Sequence, residues 1–182
     1  MPEKQIVMHC APTLAGLKTA SLFNVTYESK DQLMEDIRDL NLRFRGKGLT
    51  FIVIGFVKDK ALIYLFRPNR LRSDFRDSGL QEILKEKGYH PENLGECICT
   101  LQKKLKEEKA FPHEIGCFLG YPSEDVGHFI HNDAPVLCVG TWKVYSHEAE
   151  AKKTFELYKK CTETYMQSYD KGLSLERLAA AV

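Results

Sequence analysis

The sequence lacks any hydrophobic run long enough to cross a membrane. Its longest apolar stretch, residues 49–57, is interrupted by Thr50 and Gly55, whereas a bilayer-spanning helix needs about 20 apolar residues. No signal peptide is recognisable after Met1, because the few apolar residues that follow are not succeeded by a small-residue cleavage site. The sequence therefore predicts a soluble cytoplasmic protein without membrane association.

The chain also lacks an excess of either charge. Lys and Arg together number 26 and Asp and Glu 25, so the formal net charge is +1. A nearly neutral chain has no long-range field that would attract a polyanion, and Asp74 and Asp77 partly cancel the basic stretch at 67–77. We therefore expect no nucleic-acid partner, and the remaining partner classes are a small molecule or a protein.

Cys-x-x-Cys pairs, internal repeats and low-complexity linkers are missing as well. The chain has six cysteines, but with 182 residues and 43% hydrophobic content it can bury a core without disulfide bonds. Most of the thiols are expected to be reduced and to pack as small apolar side chains. Because no linker interrupts the sequence, residues 1–182 are predicted to form a single domain.

The periodicity of apolar residues predicts an α+β fold. Helices are predicted at 12–23, 29–44, 68–77 and 80–87, from Pro91, from Ser123, from Ser146 to about Gly172, and from Ser174. Strands are predicted at 50–57, 61–66, 114–120 and 136–145. The first two strands are separated by only three residues and must be antiparallel. The expected architecture is a small, mostly antiparallel four-stranded sheet packed with about six helices.

Three segments contain residue types that a core alone does not require: 9–18, 113–125 and 140–145. The interpretation that requires the fewest assumptions is a module that binds a small molecule or a protein in a pocket lined by these segments. The candidate ligand-contacting residues are His9, Lys18, Tyr121, Trp142, Lys143 and Tyr145. Each also has a structural interpretation, with the aromatic residues in the core and the lysines on the surface.

An alternative interpretation is a thiol-dependent enzyme. A helix beginning at Pro12 would place Cys10 beside its N-terminus, where free N–H groups and the helix dipole stabilise a thiolate. His113 would then be the base, with Glu114 or Asp125 orienting it. This layout is that of papain-like hydrolases and transferases, although their local signatures around the cysteine are absent.

A second alternative is a protein that binds a soft metal or haem. The available ligands are His9, Cys10, His113, Cys117, His128 and His131. His128 and His131 are three residues apart on a predicted helix and would face the same side. Because no Cys-x-x-Cys accompanies them, no residue is assigned to a metal, and the sequence leaves the cofactor unknown.

The same segments carry a resemblance to a known family. The motifs are His-Cys-Ala-Pro-Thr-Leu-Ala-Gly-Leu-Lys at 9–18, His-Glu-Ile-Gly-Cys-Phe-Leu-Gly-Tyr-Pro-Ser-Glu-Asp-Val at 113–126, and Trp-Lys-Val-Tyr at 142–145. In these motifs the chain resembles an uncharacterised family of unknown function, found mainly in anaerobic Gram-positive bacteria. The resemblance spans most of the chain but implies no activity, cofactor or catalytic residue, so the three functional interpretations remain open.

Overall fold

A computed structural model describes residues 2–107 and 111–181 of the chain. The chain divides into two compact units, the first comprising Met1–Asn69 and Tyr158–Val182 and the second Arg70–Leu157. Helices and strands occur in both units, which confirms the α+β class. The expectation of a single domain stays a prediction. No helix in the described residues combines the length and the apolarity that crossing a bilayer requires.

The described residues contain the helices α1 (Glu3–Leu14), α2 (Lys30–Arg43), α3 (Pro68–Asp74), α4 (Ser78–Glu86), α5 (Leu94–Glu107), α6 (Ile115–Phe118), α7 (Ser123–His131), α8 (Glu148–Asp170) and α9 (Leu175–Leu178). The strands are β1 (Ala20–Thr26), β2 (Thr50–Val57), β3 (Lys60–Phe66), β4 (Cys138–Val139) and β5 (Lys143–Val144). The predictions of α2, α3, α4, α5, α7, α8 and α9 and of the β2–β3 hairpin are confirmed, with end points that differ by a few residues.

The first unit is built on a three-stranded antiparallel sheet in which β3 lies between β1 and β2. Residues 61–66 of β3 are all buried, as expected for a central strand. The core of this unit contains apolar side chains from α1, α2, α9 and the sheet. Helix α2 begins as predicted, because the Ser29 side chain accepts a hydrogen bond from the Gln32 N–H.

The helix predicted at 12–23 is wrong. Helix α1 begins at Glu3 and contains Pro12 in its last turn, and strand β1 covers residues 20–26. The apolar stripe of α1 consists of Ile6, Val7, Cys10 and Leu14, all fully buried, and its burial outweighs the local cost of a proline inside the helix. Gly16, with a φ of 77°, then turns the chain away from the helix. Cys10 therefore lies well inside α1 rather than at a helix N-terminus.

The two strands predicted in the second unit are also wrong. Residues 114–120 form the short helix α6 and the turn after it, because a short apolar run can be buried as a helix or as a strand. Residues 136–145 reverse direction at the bond from the Gly140 N–H to the Trp142 carbonyl, giving the β4–β5 hairpin. In the described residues, the predicted four-stranded sheet is replaced by one of three strands and one of two strands.

Candidate functional site

The second unit contains a small cavity of about 190 Å³, which we call the aromatic pocket. Its lining residues are His113, Ile115, Gly116, Tyr121, Asp125, Val126, Phe129, Trp142 and Lys143. Most of these side chains are apolar or aromatic, and two basic side chains are included. A concave, largely apolar cavity with a few polar groups is typical of small-molecule sites.

Three elements position the lining of the pocket. The turn before α6 provides His113, and α6 itself provides Ile115 and Gly116. Helix α7 packs against α6 and presents Asp125 and Phe129, which are four residues apart and share one face of the helix. The β4–β5 hairpin completes the site with Trp142 and Lys143.

The Trp142 ring is held between two other aromatic rings. It stacks on Tyr121 with ring centroids 5.1 Å apart and meets Phe155 edge to face at 4.6 Å. The close approach of the hairpin to Phe155 requires glycine at position 140, because a Cβ there would lie 2.2 Å from that ring. Packing on two sides leaves little freedom for Trp142 to move.

The buried carboxylate of Asp125 fixes Trp142 and the end of the hairpin. Asp125 is only 2% exposed, and its Oδ2 accepts a hydrogen bond from the Trp142 Nε1–H at 2.7 Å. Its Oδ1 accepts from the backbone N–H groups of Tyr145 and Ser146 at 2.8 and 2.9 Å and from the Ser146 hydroxyl at 3.2 Å. Hydrogen bonds to a charged acceptor are among the strong ones in proteins. Asp125 therefore shapes the pocket as a positioning residue.

Two basic side chains lie at the edge of the pocket beside Phe129. The His113 ring centroid is 5.0 Å from that of Phe129, and the Lys143 Nζ is 5.2 Å from the same ring. Both side chains are exposed. Among the residues that the structure describes, no carboxylate forms an ion pair with Lys143. The edge of the apolar pocket thus presents hydrogen-bond donors and a positive charge.

The structure brings together five of the predicted site residues, namely His113, Tyr121, Asp125, Trp142 and Lys143. Glu114 is not among the lining residues, since it accepts bonds from the Tyr89 hydroxyl at 3.0 Å and the Lys104 Nζ at 2.9 Å. Burial acts to raise the pKa of Glu114, but the hydrogen bonds from Lys104 and Tyr89 outweigh it and hold the pKa below its usual range. Tyr145 contributes its backbone N–H to Asp125 and does not line the pocket.

The three remaining candidates, His9, Cys10 and Lys18, belong to the first unit. The His9 ring stacks on Phe23 at 5.8 Å. Cys10 is fully buried, and burial raises the pKa of its thiol far above the usual range, although Lys18 and Ser21 act in the opposite direction. Burial also lowers the pKa of Lys18 to about 8. The features that would activate Cys10 as a nucleophile, a helix N-terminus and a lowered pKa, are not found.

Alkylation distinguishes the buried thiol of Cys10 from the exposed thiol of Cys99. Iodoacetamide is expected to modify Cys99 in the folded protein and to leave Cys10 unmodified, because Cys99 is exposed and Cys10 is buried. Mass spectrometry of the digested protein after brief labelling at mildly alkaline pH measures both sites. The urea-unfolded protein, in which both cysteines react, is the control. Modification of Cys10 as fast as Cys99 would contradict this prediction and support the thiol-enzyme alternative.

The ligands considered for a soft metal are not brought together. Within residues 2–107 and 111–181, no three His, Cys, Asp or Glu side chains lie close enough to hold a metal ion. His128 pairs instead with Asp133, its Nδ1 lying 2.7 Å from the carboxylate. Cys117 is buried, and burial raises the pKa of its thiol to about 12. The described residues therefore give the metal alternative no support.

Two aromatic residues of the site were not predicted. Phe129 could have been found from the sequence, because it lies four residues after Asp125 on a predicted helix. Phe155 carries no such signal, since its contact with Trp142 depends on how α8 packs against the hairpin.

A family model described as "Protein of unknown function (DUF3793)" matches residues 6–179. The matched range contains all three of the segments singled out in the sequence and every residue that lines the aromatic pocket. No curated protein and no solved structure matches the chain.

Proposed function

Because the chain belongs to the DUF3793 family, whose description gives no function, we propose its role from its own geometry: it binds a small molecule in the aromatic pocket of the second unit. Membership confirms the resemblance noted in the sequence and adds no activity to it. The observation that carries the proposal is a cavity of about 190 Å³ lined by aromatic side chains and edged by Lys143 and His113. Sites for small molecules commonly combine an apolar lining with a few polar groups.

The volume of the pocket limits the size of the ligand. Pockets for drug-sized molecules usually measure roughly 300–1,000 Å³, whereas an apolar cavity of roughly 150 Å³ accommodates benzene. At about 190 Å³, the aromatic pocket suits a molecule with a single ring and a small substituent. The ligand is accordingly expected to be a small metabolite rather than a dinucleotide or a haem.

The lining is ordered before any ligand binds. Trp142 is held by its hydrogen bond to Asp125, and Tyr121 donates its hydroxyl to the Thr141 carbonyl at 3.1 Å. Side chains already fixed in one rotamer lose little further entropy on binding, and this lowers the cost of association. A preformed pocket of this kind supports binding as the function.

The thiol-enzyme alternative has less support. Where the structure describes it, the pocket lining contains no Ser, Thr or Cys, and a covalent mechanism requires an activated nucleophile next to its base. The nearby Cys117 is buried, with its pKa raised to about 12, which disfavours the thiolate. The pocket is therefore proposed as a binding site without a covalent step.

The cytoplasmic location expected from the sequence and the bacterial origin implied by the family resemblance are part of the same proposal. All six cysteines are free in the structure, as is usual for proteins of reducing compartments.

The only tryptophan of the chain makes the proposal directly testable. Because Trp142 lines the pocket, its fluorescence is expected to change on titration with single-ring aromatic compounds and to saturate with a Kd of roughly millimolar or tighter. Isothermal calorimetry on the same compounds provides the affinity independently of the fluorescence. Phe129→Ala removes one side of the pocket and is expected to weaken binding by about tenfold.

A matched control is available in the same unit. Phe111 is 49% exposed and does not line the pocket, so Phe111→Ala should leave both the affinity and the fluorescence change unaltered. Circular dichroism establishes that both variants are folded. If no single-ring compound binds to the folded protein, or if the two variants weaken binding equally, the aromatic pocket is not the site.

A further inference from the structure

The geometry points to a planar, single-ring anion, such as an aromatic carboxylate, as the ligand class of the aromatic pocket. This inference rests on the proposed function, because it concerns the same cavity. The ring of the ligand would lie among the aromatic side chains, and its acidic group would meet Lys143 and His113 at the edge. The aromatic lining of the pocket supports the planar ring, and the basic side chains at its edge support the acidic group.

The aromatic lining favours a flat ligand. Phe129, Trp142 and Tyr121 all contribute to the cavity surface, and the last two stack on each other with ring centroids 5.1 Å apart, so a ligand ring would pack beside this pair and not between its members. Aromatic rings prefer offset stacked or edge-to-face partners, so a ring gains more from this lining than a flexible chain of equal size does. The small volume allows one such ring.

The polar groups that a ligand can reach favour an anion. Among the described residues, the one carboxylate of the lining is that of Asp125, which is only 2% exposed and whose oxygens already accept four hydrogen bonds from the protein. In the described part of this lining, a cationic ligand would therefore find no free carboxylate. Lys143 and His113, by contrast, are exposed and can donate hydrogen bonds to an acidic group.

The position of Lys143 strengthens this preference. Its ammonium group lies 5.2 Å from the centre of the Phe129 ring, where the face of the ring attracts a cation. The charge is thus held at the exposed edge of an apolar surface, so an ion pair there is partly screened by water. A cationic ligand that stacked on Phe129 would have to displace Lys143, whereas an anionic ligand leaves it in place.

Three compounds of almost identical shape test the charge preference. Benzoate, benzamide and benzamidine are all planar and carry a negative, a neutral and a positive group at the same position. We expect benzoate to bind about tenfold more tightly than benzamide, since a hydrogen bond to a charged group contributes more than a neutral one. Benzamidine should bind more weakly than either. Calorimetry and Trp142 fluorescence give the three affinities.

Substitution of Lys143 tests whether this side chain causes the preference for benzoate over benzamide. Lys143→Met keeps most of the side-chain length without the charge, so it is expected to weaken benzoate binding more than benzamide binding and to bring the ratio of the two affinities close to one. Lys143→Arg should retain most of the benzoate preference. Lys103 is exposed on α5 of the same unit and does not line the pocket, so Lys103→Met is the charge-matched control.

The outcomes separate the two proposals. If none of the three compounds binds to the folded protein, the aromatic pocket is not a ligand site and both proposals fail. If benzamide or benzamidine binds as tightly as benzoate, the pocket remains a binding site and the anionic ligand class is wrong. If Lys103→Met lowers benzoate binding as much as Lys143→Met does, the preference comes from the overall charge of the protein, and the role of Lys143 is refuted.

Discussion

Asp125→Ala is expected to abolish ligand binding in the aromatic pocket and to lower the free energy of unfolding by about 3–5 kcal/mol. The substitution removes the acceptor for the Trp142 Nε1–H and for the backbone N–H groups of Tyr145 and Ser146. A buried donor left without a partner costs about 1–3 kcal/mol of stability. All three of these N–H donors bond to the single carboxylate that the substitution removes. Urea unfolding followed by Trp142 fluorescence and by circular dichroism measures the loss.

Two further variants make this prediction specific. Asp125→Asn keeps one carbonyl oxygen but replaces the other acceptor with an NH₂ group, so it should lose part of the stability and most of the binding. Asp133 is exposed and pairs with His128 at the surface, so Asp133→Ala should leave the urea midpoint nearly unchanged. An Asp125→Ala protein that still binds ligand with the original affinity would show that the carboxylate does not position the pocket.

Arg67→Met is expected to destabilise the first unit by about 3–5 kcal/mol. Arg67 is only 2% exposed, and its guanidinium donates to the carbonyls of Thr13 and Leu14 at 2.8 Å and of Lys47 and Ala180 at 3.0 Å. Methionine fills similar space but has no donor, so four carbonyl groups lose a hydrogen-bond partner. Urea unfolding followed by circular dichroism measures the change.

The control for this prediction is Arg38→Met, which changes the same residue type at an exposed position on α2 and should alter the urea midpoint little. Arg67→Lys keeps the charge but lacks the planar fork that reaches several carbonyls at once, so its stability should fall between those of the wild type and Arg67→Met. Equal stabilities for Arg67→Met and the wild type would show that this network does not stabilise the first unit.

The sequence predicted those elements whose signals are local. Helix α2 has a serine cap and apolar residues three and four apart, and the β2–β3 hairpin has two β-rich segments around a short turn. The prediction at 12–23 is wrong because Pro12 lies in the last turn of α1 and not at the start of a helix. A proline in the last turn of α1 is compatible with the fold because packing of Ile6, Cys10 and Leu14 compensates for it.

Part of the candidate site was predicted because the types of its residues are themselves a local signal in the sequence. Residue types alone singled out His113, Trp142 and Lys143, and the structure places these together at the aromatic pocket. The roles of Asp125 and Phe155 depend on contacts between elements far apart in the sequence, and no spacing rule for a single helix or strand gives them. The association of Cys10 with the site rested on a helix start that does not exist.

The first unit is discontinuous in sequence, and this has a consequence for protein synthesis. The Ala180 carbonyl that Arg67 binds lies 113 residues further along the chain. At a translation rate of roughly 5–20 residues per second, the ribosome needs roughly 6–23 s to produce that partner. During this interval the continuous second unit can emerge and fold. The apolar side chains that pack against Leu175 and Leu178 in the finished first unit remain exposed to solvent until those residues are made. In a growing chain, the core of the first unit therefore stays incomplete until the C-terminal segment has been made.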